Sequence, residues 1–459
     1  MNNEKVKPRV IIRDCPEYDT QIITDIIRDG IRELNINPSG SVLIKPNVVG
    51  NLGHKITPVS FTRPEVLDAI IDAIQDYSIN NINVGERSGI TFPTRLGYAR
   101  SGYMKLFRKK RKNIKARACY FEEDKLKKVS LKNGKVHKEL HLSKTFIESD
   151  FKIYATKLKS NPFTKMTNAI KHNIGILIDA ERVIEHHYNL NEKIVDLLEV
   201  GFPDLIVVDA IDIGENSSAF SCTPKRIGVI IISDNPVAVD SLVSQALGYK
   251  EGEVEHILVA SQRGYGPLSL NDIDITGDVS FAQLQKRCEG WKPGICRAEL
   301  QDTKIKFYIG NPYCIGGCHG SINDAIEILR AFTPDIGQTM KPMSIVIGEY
   351  NGDIISDDRP ILLFGKCTKV NGSISGKVVE KLDKCPVPSS TAINNIVRYG
   401  KIKNPYLMQL LDIRNAVPFI VAKFKSKGRV IEGELFKTKL LNKIFFSFFP
   451  RYKDTLSED

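Results

Sequence analysis

Ser41-Val-Leu-Ile-Lys45-Pro46-Asn47, then Arg63-Pro64-Glu65-Val-Leu-Asp-Ala-Ile-Ile-Asp-Ala-Ile74, then Asn81-Ile-Asn-Val-Gly85 is the stretch that decides the fold. The first and third pieces are short apolar runs bounded by polar residues, as in buried strands. The middle piece is apolar at helical spacing, with proline in its first turn. Strand, helix, strand predicts a right-handed crossover and two parallel strands.

Outward from this unit the alternation continues. Phe151-Lys-Ile-Tyr-Ala155, Leu205-Ile-Val-Val208 and Ile227-Gly-Val-Ile-Ile-Ile232 read as strands, and helices fit Asn191 to Val200 and Pro236 to Leu247. The expected class is α/β, a largely parallel sheet with helices on both faces, followed by a smaller α/β domain. In such sheets ligands bind beyond the carboxyl ends of the strands. The expected exits are Lys45-Pro46-Asn47, Gly85-Glu86-Arg87-Ser88-Gly89, Asp209 and Ser233-Asp234-Asn235-Pro236. Plainer roles compete: Asn235 before Pro236 suits a helix cap, and Lys45 suits an ion pair.

A chain of 459 residues with 42% hydrophobic residues suggests two or three domains. The reading is residues 1–275 as the main α/β domain with a basic insertion at 100–150, 276–303 as a linker, and 304–459 as the second domain. Asn133-Gly134 suggests a hairpin in the insertion. The polar start, the lack of an apolar run of membrane-spanning length and an odd count of nine cysteines point to a reducing, cytoplasmic setting without a leader. The formal charge is +11, and eight basic residues with no acid lie between Lys105 and Arg117. That run is read as a solvated insertion; nucleic-acid binding has no second signal. The tail from Phe436 to Lys453 mixes Phe445, Phe446, Phe448 and Phe449 with basic residues. It suits packing on the protein itself or a partner, with peripheral contact to an anionic membrane as the other option.

Cys314 and Cys318 stand in Asn-Pro-Tyr-Cys-Ile-Gly-Gly-Cys-His-Gly, and Cys367 and Cys385 each follow a lysine. Together they read as one thiolate set, though separate buried thiols show the same pattern. Three-residue spacing and soft ligands favour an iron–sulfur cluster, of the 4Fe-4S kind, with zinc as the alternative. Cys288 and Cys296 have no assigned role.

The order Ile-Lys45-Pro46-Asn47, Arg63-Pro64-Glu65, Val-Gly85-Glu86-Arg87-Ser88-Gly89, Lys157-Leu-Lys159-Ser160, Thr167 to Gly175, Pro203-Asp204-Leu-Ile-Val-Val-Asp209 and Ser233-Asp234-Asn-Pro236-Val-Ala-Val-Asp240 resembles the domain of unknown function 362 family, over about residues 40 to 250. The resemblance implies an iron–sulfur association, here without a C-x-x-C-x-x-C run. Where such proteins tend to read Lys-x-Lys-Thr-His this chain has Asn161, and where they tend to read Thr-x-x-x-Lys-Asn it ends in Lys171-His172. Histidine chemistry would then pass from Asn161 to His172 or His186-His187.

The candidate catalytic set is Lys45, Glu86, Lys159, Lys171, Asp209 and Asp234. With Lys157 and Arg87 the cations suit a carboxylate or phosphate, and the acids suit proton transfer or a hard divalent ion. The expectation is an iron–sulfur redox enzyme or electron-transfer protein acting on an anionic small molecule, with a redox partner protein. The alternatives are a zinc-stabilised lyase or hydrolase and a non-catalytic metal-handling or scaffold module.

Overall fold

In the computed structural model the described residues are 7–50, 57–89, 92–111, 114–183, 189–216, 222–294, 298–311, 315–355, 358–403, 413–427 and 429. Cys314, Cys296, His186, His187 and the aromatic tail lie outside them. The chain divides into two compact units, the first made of Met1–Arg182, Leu190–Gly294 and Val421–Val430, the second of the remainder.

The first unit is built on one nine-stranded sheet. Its strands are β1 Arg9–Asp14, β2 Gly40–Pro46, β3 Ile79–Glu86, β4 Ala116–Tyr120, β7 Phe151–Asn161, β8 Lys165–Thr167, β9 Leu205–Glu215, β10 Thr223–Ser233 and β11 Asp274–Gly277; β5 Leu126–Ser130 and β6 Glu139–Ser143 form a separate hairpin. The order is β11-β1-β10-β9-β7-β2-β3-β4, with β8 folded back on β7. β2 pairs in parallel with both β3 and β7, and β7 with β9. The quoted strand–helix–strand stretch is therefore the crossover its pattern predicts. One face of the sheet buries Val10, Tyr154, Leu158, Ile206 and Val208 under the helices Leu190–Asp196, Pro236–Ala246 and Glu255–Gln262. The other buries Ile44, Val84, Ile153, Ala155 and Val207 under Thr20–Glu33 and Pro64–Ile74. Asn235 caps the helix Pro236–Ala246, its Oδ1 accepting from the N–H groups of Val237 and Ala238.

Three expectations change. β10 runs antiparallel to both β9 and β1, so its exit lies at the opposite edge of the sheet. Residues 100–150 are only partly an insertion, because β4 pairs with β3 and extends the main sheet. Two of its cations, Lys109 and Arg111, are spent on Asp68 and Asp72. Residues 276–294 are no linker: Gly277 closes β11, the helix Phe281–Cys288 begins with a Ser280/Gln283 capping box, and Cys288 and Trp291 join the core. Cys288 is therefore a core thiol.

The second unit holds a four-stranded all-parallel sheet of β12 Ile305–Ile309, β13 Met343–Ile347, β16 Ile361–Phe364 and β19 Val378–Leu382, in that order. Between them, β14 Glu349–Asn351 pairs with β17 Lys369–Asn371, and β15 Ile354–Ile355 with β18 Ile374–Ser375. Among the described residues no helix is long and apolar enough to cross a membrane.

Candidate functional site

Four parallel strands of the first unit, β2, β3, β7 and β9, end or run past one edge, and charged side chains collect there beneath the surface. Lys45, one residue before the end of β2, donates from Nζ to Glu86 Oε2 at 2.8 Å and to the His172 carbonyl at 2.9 Å. Both side chains are essentially without solvent contact. Burial lowers the Lys45 ammonium and, against the pull of Lys45, pushes the Glu86 carboxyl up to about 7. His172 Nε2 lies 2.8 Å from the Lys45 carbonyl. That bond puts the proton on Nε2 and leaves Nδ1 buried without a hydrogen-bond partner. Burial and the Lys45 charge keep the ring neutral, its pKa well below the usual histidine value.

Gly175 packs against this pair. A Cβ there would stand 1.9 Å from Glu86 Oε1 and 2.6 Å from Lys45 Nζ. Gly175→Ala should therefore cost about 2–3 kcal/mol, because neither charged group has room to move. Chemical denaturation measures it, and an unchanged midpoint would show that the pair does not rest on Gly175.

Lys157 and Asp209 face each other across β7 and β9, 3.0 Å apart and fully buried. The Asp209 carboxylate also accepts from Tyr18 OH at 2.8 Å and from the Arg63 N–H at 3.0 Å. Three donors from three elements make Asp209 a clamp holding the Tyr18 loop and the start of the Pro64–Ile74 helix to the sheet. Tyr18 had no sequence signal, since a lone tyrosine before a helix carries none.

Lys159, two residues on in β7, is fully buried and donates from Nζ to the Ser60 carbonyl. Burial lowers it to about 7; the charges of Lys171 and Lys157 add to that, and Cys222 and Glu86 oppose it. Half-buried Lys171 opens the short helix Lys171–Ile176; burial lowers His256, and the Lys171 charge adds to that. Cys222 comes close as well: a Cβ on Gly214 would meet Lys159 Cβ at 2.7 Å and Cys222 Sγ at 3.1 Å. The cluster pairs an easily deprotonated amine with neighbouring cations, a setting that favours an anion.

Arg87 and Arg182 strap the neighbouring loops. Arg87 pairs with Asp179 and donates to the Phe92 carbonyl, while Arg182 donates to the carbonyls of Arg87, Ile174 and Leu177. Asp240, on the Pro236–Ala246 helix, accepts from the N–H groups of Ala169 and Ile170 at 2.9 and 3.0 Å, fixing the segment that carries Lys171 and His172. Burial pushes its carboxyl up to about 7. A carboxyl raised in the folded state contributes stability that is full below its ordinary pKa near 4 and is lost as pH rises toward about 7. Asp240→Asn should flatten that limb of the stability–pH curve, measured by urea midpoints, while costing about 1 kcal/mol for the amide left without its acceptor. An unaltered slope between about pH 4 and about pH 7 would contradict this assignment.

Of the residues read as catalytic, Lys45 and Glu86 meet directly, Asp209 meets Lys157, and Lys159 and Lys171 share one electrostatic neighbourhood. Asp234 does not join them. At the end of the antiparallel strand it sits at the far edge and accepts from the Arg9 N–H at 3.2 Å. Asn161, at the position where the resembling family tends to carry histidine, builds a turn: its Oδ1 accepts from the N–H groups of Phe163 and Thr164.

In the second unit Cys318 is buried at the turn Ile315–His319, which leads into the helix Gly320–Phe332. Gly365, just past β16, is so close that a Cβ on it would lie 2.9 Å from Cys318 Sγ; its φ of +116° needs glycine. Cys367 follows two residues later. The Lys366 N–H donates to the Lys384 carbonyl at 2.9 Å, which brings the Cys385 loop beyond β19 alongside. Cys367 and Cys385 are exposed thiols. The exits of adjacent parallel strands thus carry Cys367 and Cys385 at the edge where Cys318 is buried. Among the described residues no three His, Cys, Asp or Glu side chains are arranged to hold a metal.

Residues 42–245 match a family model described as a domain of unknown function (DUF362). A thylakoid-associated protein of Synechocystis sp. is 22% identical over 243 residues, 50% of this chain and 70% of that protein. The lactate racemase apoprotein of Thermoanaerobacterium thermosaccharolyticum aligns at 10% identity over 74% of this chain and 70% of that one, with a TM-score of 0.34.

Proposed function

We propose that this chain, whose residues 42–245 match the family model described as a domain of unknown function (DUF362), is an iron–sulfur protein whose first unit acts on an anionic small molecule. The observation that carries the cluster is the gathering of Cys318 with the Cys367 and Cys385 loops at one edge of the second sheet. Cys314 belongs to the same loop by sequence, four residues before Cys318. The donors are thiolates, which suits a soft centre. When bound, such a group supplies electron transfer or Lewis acidity.

The first unit's own residues supply the rest. Lys159 and Lys171 draw a carboxylate or phosphate toward the strand ends, and desolvation there strengthens the attraction. The Lys45–Glu86 pair, with Glu86 raised to about 7, holds a proton that moves at neutral pH. His172 stays neutral and anchors the Lys45 backbone.

Metal analysis of the full chain purified without oxygen tests the reading. Stoichiometric iron and sulfide with broad visible absorption support it. Stoichiometric zinc in a colourless protein overturns it in favour of a structural site, and a metal-free folded protein overturns it in favour of a non-catalytic module.

A further inference from the structure

We propose that Arg87, Ser88 and Arg182 hold a single dehydrated halide ion, chloride or bromide, at the loop that leaves β3. All three residues are buried: Arg87 is 1% exposed, Ser88 0% and Arg182 4%. Each guanidinium donates from Nη1 to the Ser88 carbonyl, so two cations meet at one backbone oxygen. Arg182 Nη2 also donates to the Arg87 carbonyl at 2.9 Å. A guanidinium carries five N–H groups, and the Nη atoms of both arginines are engaged. What remains is Arg87 Nε, Arg182 Nε and Ser88 Oγ, all buried and all without a hydrogen-bond partner. Buried donors left unmade are costly, most of all on charged groups, so three of them in one place call for a ligand.

Charge selects an anion over a water molecule. Arg87 has the Asp179 carboxylate at 2.5 Å. Arg182 instead gives its Nη hydrogens to backbone carbonyls, those of Ser88, Arg87, Ile174 and Leu177. The acids around it are bound elsewhere: Asp179 to Arg87, Glu86 to Lys45 at 2.8 Å, and Glu122 to the Thr94 N–H and hydroxyl at 2.7 and 2.9 Å. Burial also pushes Glu86 and Glu122 up, toward the form without charge. Burial, with repulsion from Arg87 added to it, already lowers Arg182 to about 10. One monovalent anion would offset the excess positive charge and give the three donors an acceptor. Three single donors suit a one-atom ion, whereas a phosphate would bring oxygens with no donor of their own. Gly97 keeps the space beside the hydroxyl open, since a Cβ there would lie 3.1 Å from Ser88 Oγ. The ion would support the candidate site at one remove. Arg182 holds the carbonyls of Ile174 and Leu177, on either side of the Gly175 that packs on Glu86 and Lys45.

The test follows thermal unfolding of the full chain in sodium gluconate, with gluconate exchanged for chloride, bromide or phosphate at constant ionic strength. The midpoint should rise with the logarithm of chloride or bromide concentration once the site begins to fill, as for a ligand that binds only the folded state. Ser88→Ala removes one donor and leaves both arginines in place. It should raise the halide concentration at which the rise begins by about tenfold. Arg182 is not substituted, because its carbonyl bonds hold two loops. Crystals grown in bromide should show an anomalous peak within hydrogen-bonding distance of Arg87 Nε, Arg182 Nε and Ser88 Oγ. Midpoints indifferent to halide, or no bromide peak at this position, would mean that the three donors hold water and would overturn the proposal. An unchanged onset in Ser88→Ala would place the halide elsewhere and overturn it too. A larger rise with phosphate than with chloride would assign the site to an oxyanion, against the halide.

Discussion

Replacing Lys45 with Met is expected to destabilise the first unit by about 3–5 kcal/mol, among the largest effects of any single side chain here. The Met keeps most of the volume but leaves Glu86 buried without its cation, and an uncompensated buried charge costs far more than the pair is worth. The cost should depend on pH with a definite sign. Glu86 is already raised to about 7 beside Lys45, and without the ammonium it rises further. A carboxyl raised in the folded state contributes stability that is present below its ordinary pKa and lost as pH rises through the folded value. Lys45, lowered by burial, contributes the opposite limb, stability lost as pH falls, and the Met removes it. Both changes make the variant weaker in mild alkali than in mild acid. Urea denaturation across about pH 5 to about pH 8 measures it. The double variant Lys45→Met with Glu86→Leu should recover most of the loss, since it buries no charge. A double variant no better than the single one would mean that packing, not charge, sets the cost.

The second large effect concerns metal. Cys318→Ala is expected to reduce the metal retained by the anaerobically purified chain by more than about tenfold, since even groups that merely orient a ligand change metal affinity by about 10–100-fold. Visible absorption should vanish with it. Cys367→Ala and Cys385→Ala should behave alike if all three serve one centre. Cys288→Ala should leave metal content unchanged, because that thiol is buried in the apolar core of the first unit. Full metal content in the Cys318 variant would sink the four-thiolate proposal; loss in the Cys288 variant would point to general unfolding.

Much of the candidate site is legible along the chain. Lys45 and Glu86 each stand where an apolar run ends in polar residues, and the rule for parallel sheets puts both at the ligand edge. Other features were hidden because strand lengths were read short. The runs Phe151 to Ala155 and Leu205 to Val208 are apolar, but the strands continue to Asn161 and Glu215. They carry Lys157, Lys159 and Asp209 within the sheet. A lysine and an aspartate each weaken a strand pattern alone; opposite each other they satisfy one another, and only the register reveals that.

Strand direction failed for a related reason. Alternating or continuous apolar runs read the same from either end, so Ile227 to Ile232 tells nothing of which way the strand points. The true connection between β9 and β10 spans only Asn216 to Cys222, too short for a parallel crossover, which needs about a dozen residues. The apolar runs alone, Leu205 to Val208 and Ile227 to Ile232, leave a gap long enough for a crossover, which places Asp234 at the wrong edge.

By itself the sequence determined the α/β class, the crossover at residues 41–85 and the residue types available for chemistry. Those follow from periodicity and composition, which are local properties. Tertiary structure alone decided which lysine meets which carboxylate, that burial pushes Glu86 up and Lys159 down to about 7, and that β10 turns back. Each depends on contacts between residues far apart in the chain, where burial and distance set the electrostatic energy, and neither can be read from spacing.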